Sequence, residues 1–127
     1  MKKTHLSLFA GIIWLIIITL LLLLPGSAFP QENWLSRLWF DKWVHIGLFA
    51  ILVFLWCRAF ALFKIEYKNL KKIFLSIAFI ALAYGAGMEF IQKYYVINRA
   101  FEGADIIADG AGCFTGLLFS WQRYIKK

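Results

Sequence analysis

The sequence predicts an all-α membrane protein, with four transmembrane helices in an antiparallel bundle and both termini in the cytoplasm. Of its 127 residues, 62% are hydrophobic and 17% are charged, whereas soluble domains have about 45–50% apolar and about 25% charged residues. The apolar residues also form long blocks, and most basic residues lie at the ends of those blocks. These features exclude a disordered chain and an ordinary soluble domain, and two cysteines are too few for a disulfide scaffold. We therefore expect one domain over residues 1–127, with the lipid bilayer as a partner.

Four apolar blocks define the predicted spans, which cover residues 6–24, 41–62, 73–94 and 104–121. Each block is long enough to cross a hydrocarbon core of about 30 Å, since a helix rises about 1.5 Å per residue. The connections are short, so helices that follow one another in the chain should be antiparallel neighbours. The first block ends at Pro25 and is longer than the apolar region of a typical signal peptide. We therefore expect a retained helix, and cleavage after Ala28 is the alternative.

The charges predict the orientation of the helices. The side that holds the N-terminus carries ten basic residues and one acid, whereas the opposite side carries four basic residues and six acids. Because cytoplasmic segments carry an excess of lysine and arginine, the N-terminal side is predicted to be cytoplasmic. The net charge of +7 is then explained by orientation and contact with anionic lipid, so no nucleic acid is expected as a partner. The ten basic residues are Lys2, Lys3, Arg58, Lys64, Lys68, Lys71, Lys72, Arg123, Lys126 and Lys127.

Polar and charged residues concentrate at the outer ends of the second, third and fourth predicted helices. Asp41 and His45 are four residues apart and therefore share a helix face, as do Asp105 and Asp109. An ionisable residue inside a span costs about 2.5–3.5 kcal/mol on insertion scales and usually faces the bundle interior. We therefore predict one outer polar cluster, in which Glu89 and Asp109 point inward. The outer polar cluster comprises Asp41, Lys42, His45, Glu89, Gln92, Arg99, Asp105 and Asp109.

Most members of the cluster also have a purely structural interpretation. Asp41 and Asp105 are each placed to cap the start of a helix, where free N–H groups and the helix dipole favour a carboxylate. His45 and Gln92 would satisfy each other across two helices. The two deeper acids need a countercharge, and Arg99 in the outer loop is the predicted one, because guanidinium binds a carboxylate or a phosphate through two parallel bonds.

Small residues recur at helical spacing on the last two predicted helices. Ala108, Gly112 and Gly116 form one such series, and Ala81 with Gly85 forms another. Faces of this kind let helix backbones approach closely in lipid. The series on the fourth helix therefore predicts a helix–helix contact that carries its two aspartates into the bundle.

The order and spacing of these residues resemble the VanZ-like family. The resemblance implies a small multi-pass protein of the bacterial inner membrane, in a family whose namesake is associated with resistance to the glycopeptide teicoplanin and whose molecular activity is largely undefined. The family usually has asparagine at the position of Asp109, which argues against a role that requires a neutral amide there. The matching residues are Asp41, Lys42 and His45 at the start of a span, Glu89 and Gln92 near the end of the next, then Arg99, Asp105, Asp109, Gly112 and Gly116.

Three functions from different classes fit the outer polar cluster. The first is binding of an anionic or lipid-linked envelope headgroup, for which Lys42, His45 and Arg99 supply donors. The second is a membrane enzyme in which His45, Glu89 and Asp105 perform acid–base catalysis, although no serine or cysteine lies near His45 as a nucleophile. The third is proton-coupled transport, for which four helices would need a homo-oligomer. The residue types also allow a carboxylate–histidine metal site, but nothing in the spacing defines its ligand geometry, so no metal or cofactor is expected. We rank binding first and the enzyme second.

Overall fold

The computed structural model describes the backbone of residues 2–23, 34–63, 66–95 and 103–125 and, within these ranges, all side chains except those of 2–4, 34–42, 67, 92 and 103–105. This part of the chain is helical apart from residues 63 and 66, and contains no strand. The helices are α1 (Lys2–Leu23), α2 (Trp34–Leu62), α3 (Tyr67–Tyr95) and α4 (Gly103–Ser120), and α4 continues into a short π-helical segment, Trp121–Ile125. The prediction of an all-α chain is confirmed for these residues.

Three of the helices are long and apolar enough to cross a membrane. Within the described residues these segments are His5–Leu23, Trp43–Leu62 and Lys68–Tyr95, so the chain is a membrane protein by length and composition of its helices. The α4 helix is not among the segments found within the described residues. The predicted fourth span thus exists as a helix, and its crossing of the membrane stays a prediction.

Two helices extend well beyond the apolar blocks that predicted them. The α2 helix begins at Trp34, so Asp41 lies inside the helix, and the interpretation of Asp41 as a cap at its start is wrong. The α3 helix begins at Tyr67 instead of residue 73 and so includes three lysines in its first two turns. The physical reason is that an apolar block marks only the part of a helix that lipid covers, whereas lysine is a good helix former and continues the helix into the polar region.

The closest helix–helix contact joins α2 and α4, which are not sequential in the chain. A Cβ added at Gly116 would lie 2.5 Å from the carbonyl oxygen of Ala50, and one at Gly112 would meet the carbonyl oxygen of Ile46. Only glycine fits at such a distance, so the predicted contact of the small residues on α4 is confirmed. Because residue numbers rise together along this contact, α2 and α4 run in the same direction.

The α1 helix runs opposite to α2, and α3 runs opposite to α4. Trp14 on α1 donates its indole N–H to the carbonyl oxygen of Leu48 on α2 at 3.0 Å, and Gly11 packs on the ring of Trp56. The α3 and α4 helices likewise meet in reverse order, as shown by the contacts of Leu82 with Gly110 and of Gly85 with Asp109. The ends of α1 and α3 therefore lie beside the starts of α2 and α4. We call this the polar end and the opposite end, where α3 begins and α4 ends, the basic end.

Candidate functional site

Three ionisable side chains from three helices are buried toward the polar end. His45 on α2, Glu89 on α3 and Asp109 on α4 are 2%, 1% and 1% exposed. Nδ1 of His45 lies 2.6 Å from Oδ1 of Asp109. An ionised carboxylate only accepts hydrogen bonds, so the ring N–H of His45 donates to Asp109. The prediction that Glu89 and Asp109 face the interior is confirmed by their burial.

Glycines allow this pair to form. The contact of Gly112 and Gly116 with α2 brings the two backbones close enough for the side chains of His45 and Asp109 to meet. On α3, a Cβ added at Gly85 would lie 2.6 Å from Oδ2 of Asp109 and 3.0 Å from the ring of Phe49. The Asp109 carboxylate therefore occupies space that any other residue at position 85 would fill. Close packing of three helices holds the carboxylate in one place.

Glu89 lies one helical turn from Gly85 on the same face of α3. Since α3 and α4 run in opposite directions, residues that follow Gly85 on this face lie beside the part of α4 nearer its start. Within the described part of the chain, every buried side-chain nitrogen or oxygen has a hydrogen-bond partner. A buried polar group without a partner costs about 1–3 kcal/mol, so full pairing is what a stable polar interior requires.

A second polar contact, which the sequence analysis missed, joins α1 to α3. Thr19 donates its hydroxyl to the carbonyl oxygen of Leu15 at 2.9 Å, and the hydroxyls of Thr19 and Tyr84 are hydrogen-bonded to each other. The simplest arrangement is that the Tyr84 O–H donates to Thr19. Tyr84 directly precedes Gly85, so this contact fixes α1 beside the stretch of α3 that packs on Asp109. The sequence signal for this contact was the presence of one hydroxyl side chain in each of two apolar spans, Thr19 in the first and Tyr84 in the third.

The structure brings together part of the predicted outer polar cluster. His45 and Asp109 are in contact, and Glu89 is buried on the neighbouring helix. Four members, Asp41, Lys42, Gln92 and Asp105, lie in helices but outside the described side chains, and Arg99 lies wholly outside the described residues. Their place in the cluster, and the role of Arg99 as countercharge, stay predictions. Among the residues that the structure describes, no three His, Cys, Asp or Glu side chains form a group that would hold a metal ion.

The His45–Asp109 pair has two chemical uses. Asp109 accepts from Nδ1 and so orients the imidazole ring of His45. When His45 is protonated, Nε2 is a hydrogen-bond donor to an anionic oxygen, and when it is neutral, Nε2 is a base. The same geometry therefore serves anion binding or acid–base chemistry.

Comparison of the chain with protein-family models, with curated proteins and with solved structures found no match.

Proposed function

We propose that the chain is a four-span membrane protein of the VanZ-like kind, in the bacterial inner membrane, with both termini in the cytoplasm. Two observations support α4 as the fourth span. Its described aspartate is buried and two of its glycines lie against α2, whereas its outer surface exposes large apolar residues. A helix with its polar groups inside and apolar groups outside suits lipid. The exposed apolar residues of α4 are Ile107, Phe114, Leu118 and Phe119.

The proposed orientation rests on the exposed cations of the basic end, which correspond to a cytoplasmic surface. Reporter fusions test it: a fusion after Lys68 should report the cytoplasm, and one after Asn98 should report the exterior. The reverse pattern would contradict the orientation and place the polar end at the cytoplasm. The packing of Gly11 and Trp14 of α1 against α2 also favours a retained first helix, and intact mass of the purified protein checks it.

We propose that the function is binding of an anionic or lipid-linked envelope headgroup at the polar end. The observation that carries this proposal is the buried His45–Asp109 pair, with Glu89 buried on the adjacent helix. Replacing a buried ion pair by apolar residues is often neutral or stabilising, so such a pair is weak evidence for a purely structural role. The glycine contact of α4 with α2 already joins the helices. An expensive pair that packing does not need is best explained by a ligand.

In the proposed complex, Asp109 holds the ring and the Nε2–H of protonated His45 donates to a phosphate or carboxylate oxygen. Lys42 and Arg99 belong to the predicted cluster and would add positive charge around the same headgroup. Arginine suits this role because its planar guanidinium binds two oxygens of a phosphate at once. The acids then orient the donors and prevent binding of other anions in the wrong position.

Lipid binding to the protein in nanodiscs tests the proposal, with a polyprenyl phosphate as the probe and the uncharged polyprenol as its control. The phosphate form should bind more tightly, and His45→Asn should weaken its binding by at least about tenfold, since a hydrogen bond to a charged group contributes about 1.5–3 kcal/mol. Asparagine has an amide near the position of Nδ1 and nothing at Nε2. Thr115→Ala is the control variant, because Thr115 is exposed and donates only within α4, to Ala111 at 2.8 Å. Equal binding of phosphate and alcohol, or by His45→Asn and the native chain, would contradict the proposal.

The second candidate is a membrane acid–base enzyme acting on a lipid-linked envelope substrate. The 2.6 Å contact of Asp109 with Nδ1 favours it, because a carboxylate at Nδ1 sets the tautomer in which Nε2 is a general base. Asp109→Asn separates the candidates. In an enzyme this variant should still bind the polyprenyl phosphate probe but lose most of its turnover of a lipid-linked substrate. A binding protein should show no turnover with either chain, and the variant should bind the probe as the native chain does.

The resemblance also suggests a link to glycopeptide tolerance. Teicoplanin susceptibility of cells with and without the chain tests this link, with His45→Asn as the inactive variant. A change in susceptibility that His45→Asn does not abolish would place the effect elsewhere than in the polar cluster.

A further inference from the structure

The basic end carries a group of exposed cations on three neighbouring elements. They stand at the end of α2, on the first two turns of α3 and in the π-helical segment. Glu66 is the one acid among the residues described at this end. Charges of one sign on one surface attract an anion. The cations are Arg58, Lys68, Lys71, Lys72 and Arg123.

Aromatic rings position two of these cations at one corner of the molecule. Nζ of Lys71 lies 5.9 Å from the centroid of the Trp121 ring, and the guanidinium carbon of Arg123 lies 5.8 Å from that of Tyr124. The Tyr124 ring in turn packs edge-on against Phe74 of α3, with centroids 6.4 Å apart. Cation–π attraction at exposed sites contributes about 0.5–1 kcal/mol, which favours these positions of the two cations where α3 begins and α4 ends.

Apolar surface continues from this corner along both helices. Leu75 follows Lys71 on the same face of α3 and is 53% exposed. On α4, Leu118 and Phe114 precede Trp121 at helical spacing and are 45% and 60% exposed. A soluble anion would make no use of this apolar surface. A phospholipid has the matching order, a phosphate followed by acyl chains.

We propose that this corner, the basic site (Lys71, Trp121 and Arg123), binds the phosphate of an anionic phospholipid, with an acyl chain along the exposed face of α3. Tryptophan and tyrosine prefer the level of the headgroups, which is where the phosphate lies. Lys68 and Lys72 flank Lys71 and increase the positive field, and basic clusters between spans are attracted to anionic lipids. The basic site rests on α4 as the proposed fourth span, but it lies at the opposite end from the polar cluster and so does not rest on the proposed headgroup binding there.

Native mass spectrometry of the purified protein with added phosphatidylglycerol tests the basic site, with zwitterionic phosphatidylcholine as the lipid control. Phosphatidylglycerol should be retained preferentially, and Lys71→Gln should weaken its binding by about fivefold, the contribution of one cation near an anionic surface. Lys71→Arg keeps the charge over the ring and should bind as the native chain does. Arg123→Gln should repeat the loss and replaces Lys71→Gln if that variant does not fold.

The matched control is Arg58→Gln, which removes one exposed cation of the same end from α2 and should change binding by less than about twofold, because it lies outside the basic site. An equal loss with Arg58→Gln would show a diffuse charge effect and overturn the site. Equal retention of the two lipids would overturn its preference for anions. Displacement of the lipid by an equimolar amount of glycerol phosphate would show that a soluble anion, not a lipid, is the natural occupant.

Discussion

The two ends of this helix assembly hold their charges in opposite ways. At the polar end, His45, Glu89 and Asp109 are buried on three different helices. At the basic end the described cations are exposed, and a buried polar side chain there, that of Ser120, is small, neutral and bonded within its own helix to the carbonyl oxygen of Gly116 at 2.8 Å. Charge at the polar end is therefore part of the packed interior, whereas charge at the basic end lies on the surface.

The two ends should therefore differ in how strongly a substitution changes the free energy of unfolding. An exposed cation keeps its contact with water and headgroups, and exposed ion pairs contribute about 0–1 kcal/mol. A buried charge depends on its partner, and loss of one partner costs about 3–5 kcal/mol. Substitutions at the polar end should therefore alter stability far more than substitutions at the basic end.

The largest effect is expected for Asp109→Leu. It removes the acceptor of the buried His45 ring N–H, which should lower the free energy of unfolding by about 3–5 kcal/mol. Asp109→Asn should be much milder, because the amide oxygen still accepts from His45. Unfolding in bicelles by denaturing detergent measures both. The double variant His45→Leu/Asp109→Leu should recover stability relative to Asp109→Leu, and purely additive losses would show that the two residues do not interact.

A smaller loss is expected for Gly112→Ala. The added methyl group meets the carbonyl oxygen of Ile46, so α2 and α4 must move apart, at a cost of about 1–3 kcal/mol. Gly87→Ala is the matched control, since Gly87 lies on an exposed face of α3 with nothing within 4 Å of an added Cβ. Thermal unfolding in detergent should separate the two variants. If they behave alike, close α2–α4 packing does not hold the polar pair in place.

A loss of about 1 kcal/mol is expected for Tyr84→Phe, which removes the hydrogen bond to Thr19. The effect is at the low end for a buried hydroxyl, because Thr19 keeps its bond to the carbonyl oxygen of Leu15. The same change at Tyr94, which is 67% exposed, should have no measurable effect on the midpoint of thermal unfolding. Equal midpoints for the two variants would show that the hydrogen bond between Thr19 and Tyr84 does not stabilise the packing of α1.

The smallest effect is expected at the basic end. Arg58→Gln should change the free energy of unfolding by less than about 0.5 kcal/mol, as exposed substitutions usually do. Glu89→Gln, at the polar end, should cost more, because Glu89 is 1% exposed. Detergent unfolding of the two variants under one condition makes the comparison. A larger loss for Arg58→Gln than for Glu89→Gln would reverse the proposed contrast between the ends.

The sequence by itself determined the class of the molecule. Long apolar blocks interrupted by basic residues predicted helices of membrane length, and three such helices are found among the described residues. It also predicted that Glu89 and Asp109 are buried, since an acid deep in an apolar block has no favourable place except the interior. The glycine series on α4 predicted a close helix contact, because small residues at helical spacing let two helix backbones approach. Each of these inferences depends only on neighbours in the chain.

Only the tertiary structure decided which groups meet. Spacing shows which residues share one face of one helix, but the rotation and register between two helices are set by packing across the whole interface. The sequence predicted that His45 and Asp109 belong to one cluster and, by alternation of the spans, that α2 and α4 are parallel. The specific bond from Nδ1 of His45 to Asp109 and the close backbone contact of α2 with α4 did not follow from it. The hydrogen bond between Thr19 and Tyr84 was not predicted, because each hydroxyl lies in an otherwise apolar stretch and its partner is on another helix.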